Sequence, residues 1–178
     1  MKIRHVTEHD LDACYTMESL CYTSDAATKE QIQKRMQVFP EGFLVAESNG
    51  RIIGMINSGA TNKEDITDEA FKGMVGHVKD GKNIVIFSLA VLPGFQGMGV
   101  SKKLMLKFIG VAKDLKKEKI LLICKYDVIP YYQKYGFSYG GKSKSRHGGF
   151  EWHEMYLPCN NLQAGTPDRS GEISGSGG

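Results

Sequence analysis

Gln96, Gly97, Met98, Gly99, Val100 and Ser101 follow the apolar run Asn83 to Val91 and open a helix-like stretch. Residues of these types in this place can hold phosphate. The first N–H groups of a helix have no intrahelical partner and lie at the positive end of its dipole, and glycines let main chain approach an anion closely. Spacing sorts the phosphate motifs. Gly94 and Gly99 are separated as in a P-loop, but Val100 stands where its lysine is required. Gly97-x-Gly99 leads to Lys102, where a dinucleotide fingerprint has its third glycine. What remains is Gln-x-x-Gly-x-small, on Gln96, Gly99 and Ser101. Other reactive side chains have weaker patterns. Ser88 has no nearby His-Asp pair and reads as strand packing rather than a nucleophile. His5 and His9 have helical spacing across a strand-to-helix junction, which does not make a metal site. Cys14, Cys21, Cys124 and Cys159 contain no Cys-x-x-Cys pair. Cys14 and Cys21 share a predicted helix face roughly 10 Å apart, too far for a disulfide, so the thiols read as reduced and structural.

A second segment sharpens the first. After the apolar run Ile120 to Cys124 comes Asp127-Val-Ile-Pro-Tyr-Tyr-Gln-Lys-Tyr-Gly-Phe. Gln96-x-x-Gly99-x-Ser101 behind Leu89-Ala90-Val91, followed by Tyr132-x-Lys134-x-Gly136-Phe137, resembles the coenzyme A loop and closing signature of the GNAT superfamily of N-acetyltransferases. The similarity covers roughly residues 1–158. Within the superfamily the chain looks most like the serotonin (arylalkylamine) N-acetyltransferase branch, through Cys124 to Phe137, Pro130 and Phe39-Pro40-Glu41. The branch's paired relay histidines fall on Val85 and Phe87, so its proton relay does not carry over.

The resemblance implies acetyl-CoA as cosubstrate and no metal. The backbone of Leu89, Ala90 and Val91 would pair with pantetheine along a strand edge left open by the next strand. The pyrophosphate would rest on Gln96, Gly97, Met98, Gly99, Val100, Ser101 and Lys102. A main-chain N–H near Leu89 would serve the oxyanion, and Tyr132 would protonate the departing thiolate. Thiols have pKa values of about 8.5 and phenols about 10, which suits that transfer; Tyr132 also reads as a ring packed beneath the cofactor. Glu151, His147, His153 and His77 are substitute bases, acting through ordered water. The acceptor would be a small primary amine attacking directly, chosen by Cys21 to Asp25, Phe39 to Gly42 and Lys142 to Trp152, with Tyr22 matching a pocket aromatic. The alternatives are a protein or peptide N-acetyltransferase, and a coenzyme A-binding module with reduced catalysis.

These residues need a scaffold, and the rest of the chain describes one. With 178 residues, 41% of them hydrophobic and 24% charged, the chain fits one globular domain with a single core. No apolar run is long enough for a membrane span and no signal peptide opens the chain, which suggests a cytoplasmic protein. A net charge of +3 does not argue for nucleic acid, and a monomer or homodimer is expected. Lys2 to Val6 reads as a strand, Thr7 and Asp10 as a helix start, and Thr28 with Gln31 as a capping box for a second helix. Asn49-Gly50 joins two strands as a hairpin. Residues 61–82 form a polar connection of the length that often covers a site, with a short helix over Asp68 to Val75. Val100, Leu104, Phe108, Val111 and Ala112 make one stripe of a third helix. Gly136 falls at a left-handed cap after a fourth, and Phe137 to Tyr139 with Phe150 to Leu157 close the sheet. The expected fold class is α/β, a GNAT-type mixed twisted sheet of about seven strands flanked by about four helices. The domain is expected over 1–158, and 159–178 as a disordered Gly/Ser-rich tail of the kind an expression vector leaves.

Overall fold

Asn49 and Gly50 take φ values of 51° and 74°, the left-handed pair of a tight hairpin, and so fold β2 (Leu44–Ser48) onto β3 (Arg51–Thr61). The computed structural model describes residues 1–160. Most of the expected Gly/Ser tail lies outside the described residues. Cys159, placed in that tail by the sequence, is buried and its N–H donates to Glu118 O at 2.8 Å.

The elements follow in the order β1 (Lys2–His5), α1 (Leu11–Cys21), α2 (Lys29–Val38), β2, β3, β4 (Asn83–Val91), α3 (Val100–Asp114), β5 (Lys119–Cys124), α4 (Ile129–Gln133), β6 (Ser138–Lys142) and β7 (His153–Pro158). One seven-stranded sheet has the order β1-β2-β3-β4-β5-β7-β6. Among the described residues only the β4–β5 pair is parallel. The mixed α/β fold is therefore the expected one. Among the described residues no helix is long and apolar enough to cross a membrane.

Local chemistry explains the element ends. Thr28 accepts from the Gln31 N–H at 3.2 Å while Gln31 Oε1 accepts from the Thr28 N–H at 3.0 Å, a capping box that starts α2. Thr7 and Asp10 cap a 3-10 turn, Glu8–Asp10, that runs into α1. The short helix expected over Asp68 to Val75 is a single 3-10 turn, Glu69–Gly73. Asp68 Oδ1 caps it at the Ala70 N–H, and Met74, at φ 69°, ends it before a second turn forms.

The two faces of the sheet carry different helices. A Cβ on Gly54 would lie 2.8 and 2.9 Å from Val100 and Leu104, so α3 packs onto the face that Gly54 shares. Strand alternation turns Asn57 to the other face, where Arg35 of α2 reaches it. The apolar stripe of α3 is wider than the sequence suggests, because Met105 and Ile109 are buried with Val100, Leu104, Phe108, Val111 and Ala112.

Candidate active site

β4 and β5 pair at Asn83, Ile84 and Val85 and then part. The cause is local. Asn57 pairs with Ser88 but Ser58 with Ile86, so Phe87 is the extra residue of a β-bulge, which bends and twists β4 away from its neighbour. A cavity of about 720 Å³ opens there, lined by residues of both strands, α1, α2 and α4, with Glu18, Tyr22, Arg35, Phe71, Phe87 and Tyr132 among them.

The opened strand edge is not bare. Tyr22 Oη donates to Leu89 O at 2.7 Å and accepts from the Leu89 N–H at 3.2 Å, standing where a strand neighbour would. The Gln96 side chain folds back and donates to Val91 O at 3.1 Å, and the Cys21 thiol reaches the same carbonyl at 3.3 Å. Ala90 is paired with Met55, and because Leu89 faces the gap, the alternation of antiparallel bonds turns the polar groups of Ala90 toward β3. These are corrections to the expectation of an unpaired Leu89 to Val91 edge. Leu89 and Val91 face the gap but are capped by side chains, Ala90 faces away, and the Gln96 amide side chain is bonded to Val91.

The glycine loop has the expected shape. Gly97 and Gly99 have φ values of 76° and 79°, which a side chain would strain, and nothing would touch a Cβ at either. The loop is thus open to solvent. Gly99 caps α3, and Lys103 is the first residue to bond back to it, leaving the N–H groups of Val100, Ser101 and Lys102 ahead of the helical ladder. Met98, Gln96 and Lys102 are exposed around them, Ser101 is half-buried, and the Val100 side chain is buried in the core. The free amides, the positive φ values and the parted strands fit a nucleotide thioester such as acetyl-CoA.

Tyr132 lies on the far wall. Its ring packs edge-on against Tyr131 and Phe137, with centroids 5.2 and 5.7 Å away. Burial pushes its pKa well above the ordinary phenol value. Of the four substitute bases, His147 alone lines the cavity, and both its ring nitrogens are engaged, Nδ1 with Glu69 at 2.7 Å and Nε2 with Asp25 O at 3.0 Å. Glu151 pairs with Lys142 at 2.8 Å and His153 with Tyr139 at 2.8 Å, on the last hairpin. His77 accepts from the Ala60 N–H at 3.0 Å and stacks on Phe39. None of these three lines the cavity.

Two buried charges that sequence reasoning missed line it, beside the less buried Asp68, Lys72, Lys125 and Asp127. Glu18 is 2% exposed; its Oε1 accepts from the Ala27 N–H at 2.9 Å, and its Oε2 has no partner. Burial pushes its pKa up from the ordinary carboxylate value, against the Ala27 N–H, the charge of Arg35 and the Ser88 hydroxyl, which pull it down. Arg35 is also 2% exposed, and burial pushes its pKa down to about 10. A signal existed in the sequence. Glu18 shares the buried stripe of α1 with Cys14 and Met17, and Arg35 that of α2 with Ile32 and Met36. A charge on an apolar stripe is costly unless something meets it.

The chain belongs to the Acetyltransferase (GNAT) family, whose pattern matches residues 9–137. It is 28% identical over 145 residues to the probable hydrolase YhcX and 26% identical over 147 residues to the uncharacterized N-acetyltransferase YkwB, both of Bacillus subtilis. Those matches cover 76% of this chain but only 27% and 64% of the two relatives. Serotonin N-acetyltransferase of Mesocricetus auratus is 22% identical over 159 residues, covering 86% of this chain and 75% of that protein. Among solved structures, the loading GNATL domain of CurA from Lyngbya majuscula superposes with a TM-score of 0.80 at 16% identity, over 89% of this chain and 97% of that domain. The putative acetyltransferase yncA from Salmonella typhimurium, solved with acetyl-CoA, gives 0.65 at 17% identity, over 90% and 94%.

Proposed function

We propose that the chain is an acetyl-CoA-dependent N-acetyltransferase that acts on a small primary amine by direct attack. The observation that carries this reading is one cavity between the parted β4 and β5 that has Tyr132 on one wall and the unpartnered carboxylate of Glu18 on another. The free amides at the start of α3 would hold the pyrophosphate, and the thioester would lie in the gap beside Leu89. Tyr22 would yield the Leu89 N–H, which then serves the oxyanion.

Glu18 supplies the base that the sequence did not reveal. Its carboxylate takes one proton from the bound ammonium, and the freed amine attacks the acetyl carbonyl, forming the C–N bond. As the C–S bond breaks, Tyr132 gives its proton to the leaving sulfur and recovers one from the new amide nitrogen. Glu18 returns the first proton to solvent. A raised phenol pKa keeps Tyr132 protonated, and the proton it gives to sulfur is made good by the one it takes from the amide nitrogen. At Val85 and Phe87, where the arylalkylamine branch has its histidines, this cavity has apolar walls, which supports a carboxylate in place of that relay.

Acetyl-CoA turnover across a panel of amines, read as free thiol, tests the reading. Tyr132→Phe should lower kcat by about 10²- to 10⁴-fold with a smaller change in cofactor affinity. Full kcat in that variant at every pH would remove the acid role, and acetylation of polypeptide ends or lysines alone would remove the small-amine reading.

A further inference from the structure

We propose that the acceptor is amphoteric, an apolar α-amino acid whose ammonium sits at Glu18 and whose carboxylate is held by Arg35. The proposal rests on the reading of this cavity as the acceptor site and names the class of molecule it selects.

Arg35 is a buried cation that no ion pair meets: the charge of Glu18 acts on it, but no salt bridge joins the two. Its Nε donates to Lys72 O at 3.0 Å and its Nη1 to Asn57 Oδ1 at 3.0 Å and Ser88 Oγ at 3.4 Å, all neutral groups. The guanidinium carbon lies 4.7 Å from the centre of the Phe87 ring. Among the described residues no carboxylate forms an ion pair with it, and its Nη2 donates to no protein group. Burying a charge is unfavourable unless a partner meets it, and a guanidinium with free donors is shaped for a carboxylate. Glu18 is the mirror case, with Oε2 lacking any partner. Both line the same cavity, and they do not pair with each other.

Asp25, Asp68, Lys72, Lys125 and Asp127 line the cavity as well, but Glu18 and Arg35 are its most buried charges, and opposite charges held apart in this way are complementary to a zwitterion. A simple monoamine satisfies Glu18 and leaves Arg35 unmet. A polypeptide N-terminus has an amide where a free amino acid has its carboxylate, so it too leaves Arg35 unmet. Ile66, Phe71 and Phe87 form the adjoining wall, with the two phenylalanine rings edge-on at 5.1 Å, which fits an apolar or aromatic side chain. The carboxylate belongs to the acceptor rather than to the acyl group because of the sheet. Arg35, through Asn57 and Ser88, stands on the face opposite α3, whose N-terminus marks the cofactor's side.

Trp152 is the one tryptophan in the chain and lines this cavity, so its fluorescence reports binding without turnover. Phenylalanine, leucine and methionine, each beside its amide and its decarboxylated amine, are titrated with coenzyme A present. Thiol release is then measured with acetyl-CoA, whose acyl group carries no charge. The free amino acids should bind about 10- to 100-fold more tightly than their amides and amines, the size expected for a charged hydrogen-bonded contact. Arg35→Met should bring that ratio close to one. Equal binding of the three forms by the wild type, binding of none of them, or a preference that survives in Arg35→Met would each overturn the proposal. The wild-type comparison needs no variant, so a folding defect in Arg35→Met does not blunt the test. Carboxylate-selective binding without thiol release would leave this proposal standing and remove the acetyl-transfer reading.

Discussion

Glu18 has a buried carboxylate with one oxygen bonded and the other free, and that asymmetry makes a prediction about pH. A base works deprotonated, so kcat/KM should rise as pH passes upward through the Glu18 pKa, which burial has raised. Because the ammonium is deprotonated after binding, that limb should keep its position across acceptors of different basicity. Glu18→Gln should lose the limb and lower kcat/KM by about 10²- to 10⁴-fold. A limb that moves with the acceptor's own pKa would show that the amine loses its proton in solution and that Glu18 has another role. At this scale the sequence was a partial guide. The place of Tyr132 on the cavity wall was legible because its neighbours form a signature, whereas Glu18 and Arg35 sit in ordinary helical stretches. Their importance lies in what surrounds them.

Two elements build the site, and each depends on a backbone irregularity. The bulge at Phe87 parts β4 from β5, and Gly99 at φ 79° turns the chain into α3. Gly99→Val puts a β-branched residue into left-handed backbone, a strain of about 1–3 kcal/mol. The expected outcome is retraction of the first turn of α3, with coenzyme A affinity lowered about 10-fold or more by calorimetry. Unchanged affinity would mean that the α3 amides do not hold the cofactor. The glycine loop could be read from residue types because positive φ favours glycine. The bulge could not, since Phe87 is an ordinary strand residue and becomes the extra one only against the register of β3. The capping of Leu89 by Tyr22 is equally non-local: it joins residues 67 positions apart.

For the whole molecule, the edge of the sheet is tied to α1 by charge. Arg4 donates to both carboxylate oxygens of Asp10, at 2.8 and 2.9 Å, and to Glu47 of β2 at 2.7 Å. Burial works against the charge of Asp10, but Arg4 and the Thr7 N–H outweigh it and hold its pKa below the ordinary value. A depressed carboxylate contributes stability that is present above its unfolded pKa and is lost as pH falls through the folded one. Tm should therefore decline below about pH 4, and Asp10→Asn should lower neutral-pH stability by about 1–3 kcal/mol while flattening that decline. An acid decline as steep in Asp10→Asn as in the wild type would assign it to other carboxylates. The sequence by itself determined the order of elements, the Asn49-Gly50 hairpin, the caps of α2, the glycine loop and Tyr132. Each of these depends on residues close together in the chain, where local sterics and hydrogen bonding decide. Only the tertiary structure decided that β4 parts from β5 after Val85, that Tyr22 covers Leu89, and that Glu18 and Arg35 face one cavity. Those depend on strand register and on helices packed from distant positions, and the cost of burying a charge is set by the whole fold around it.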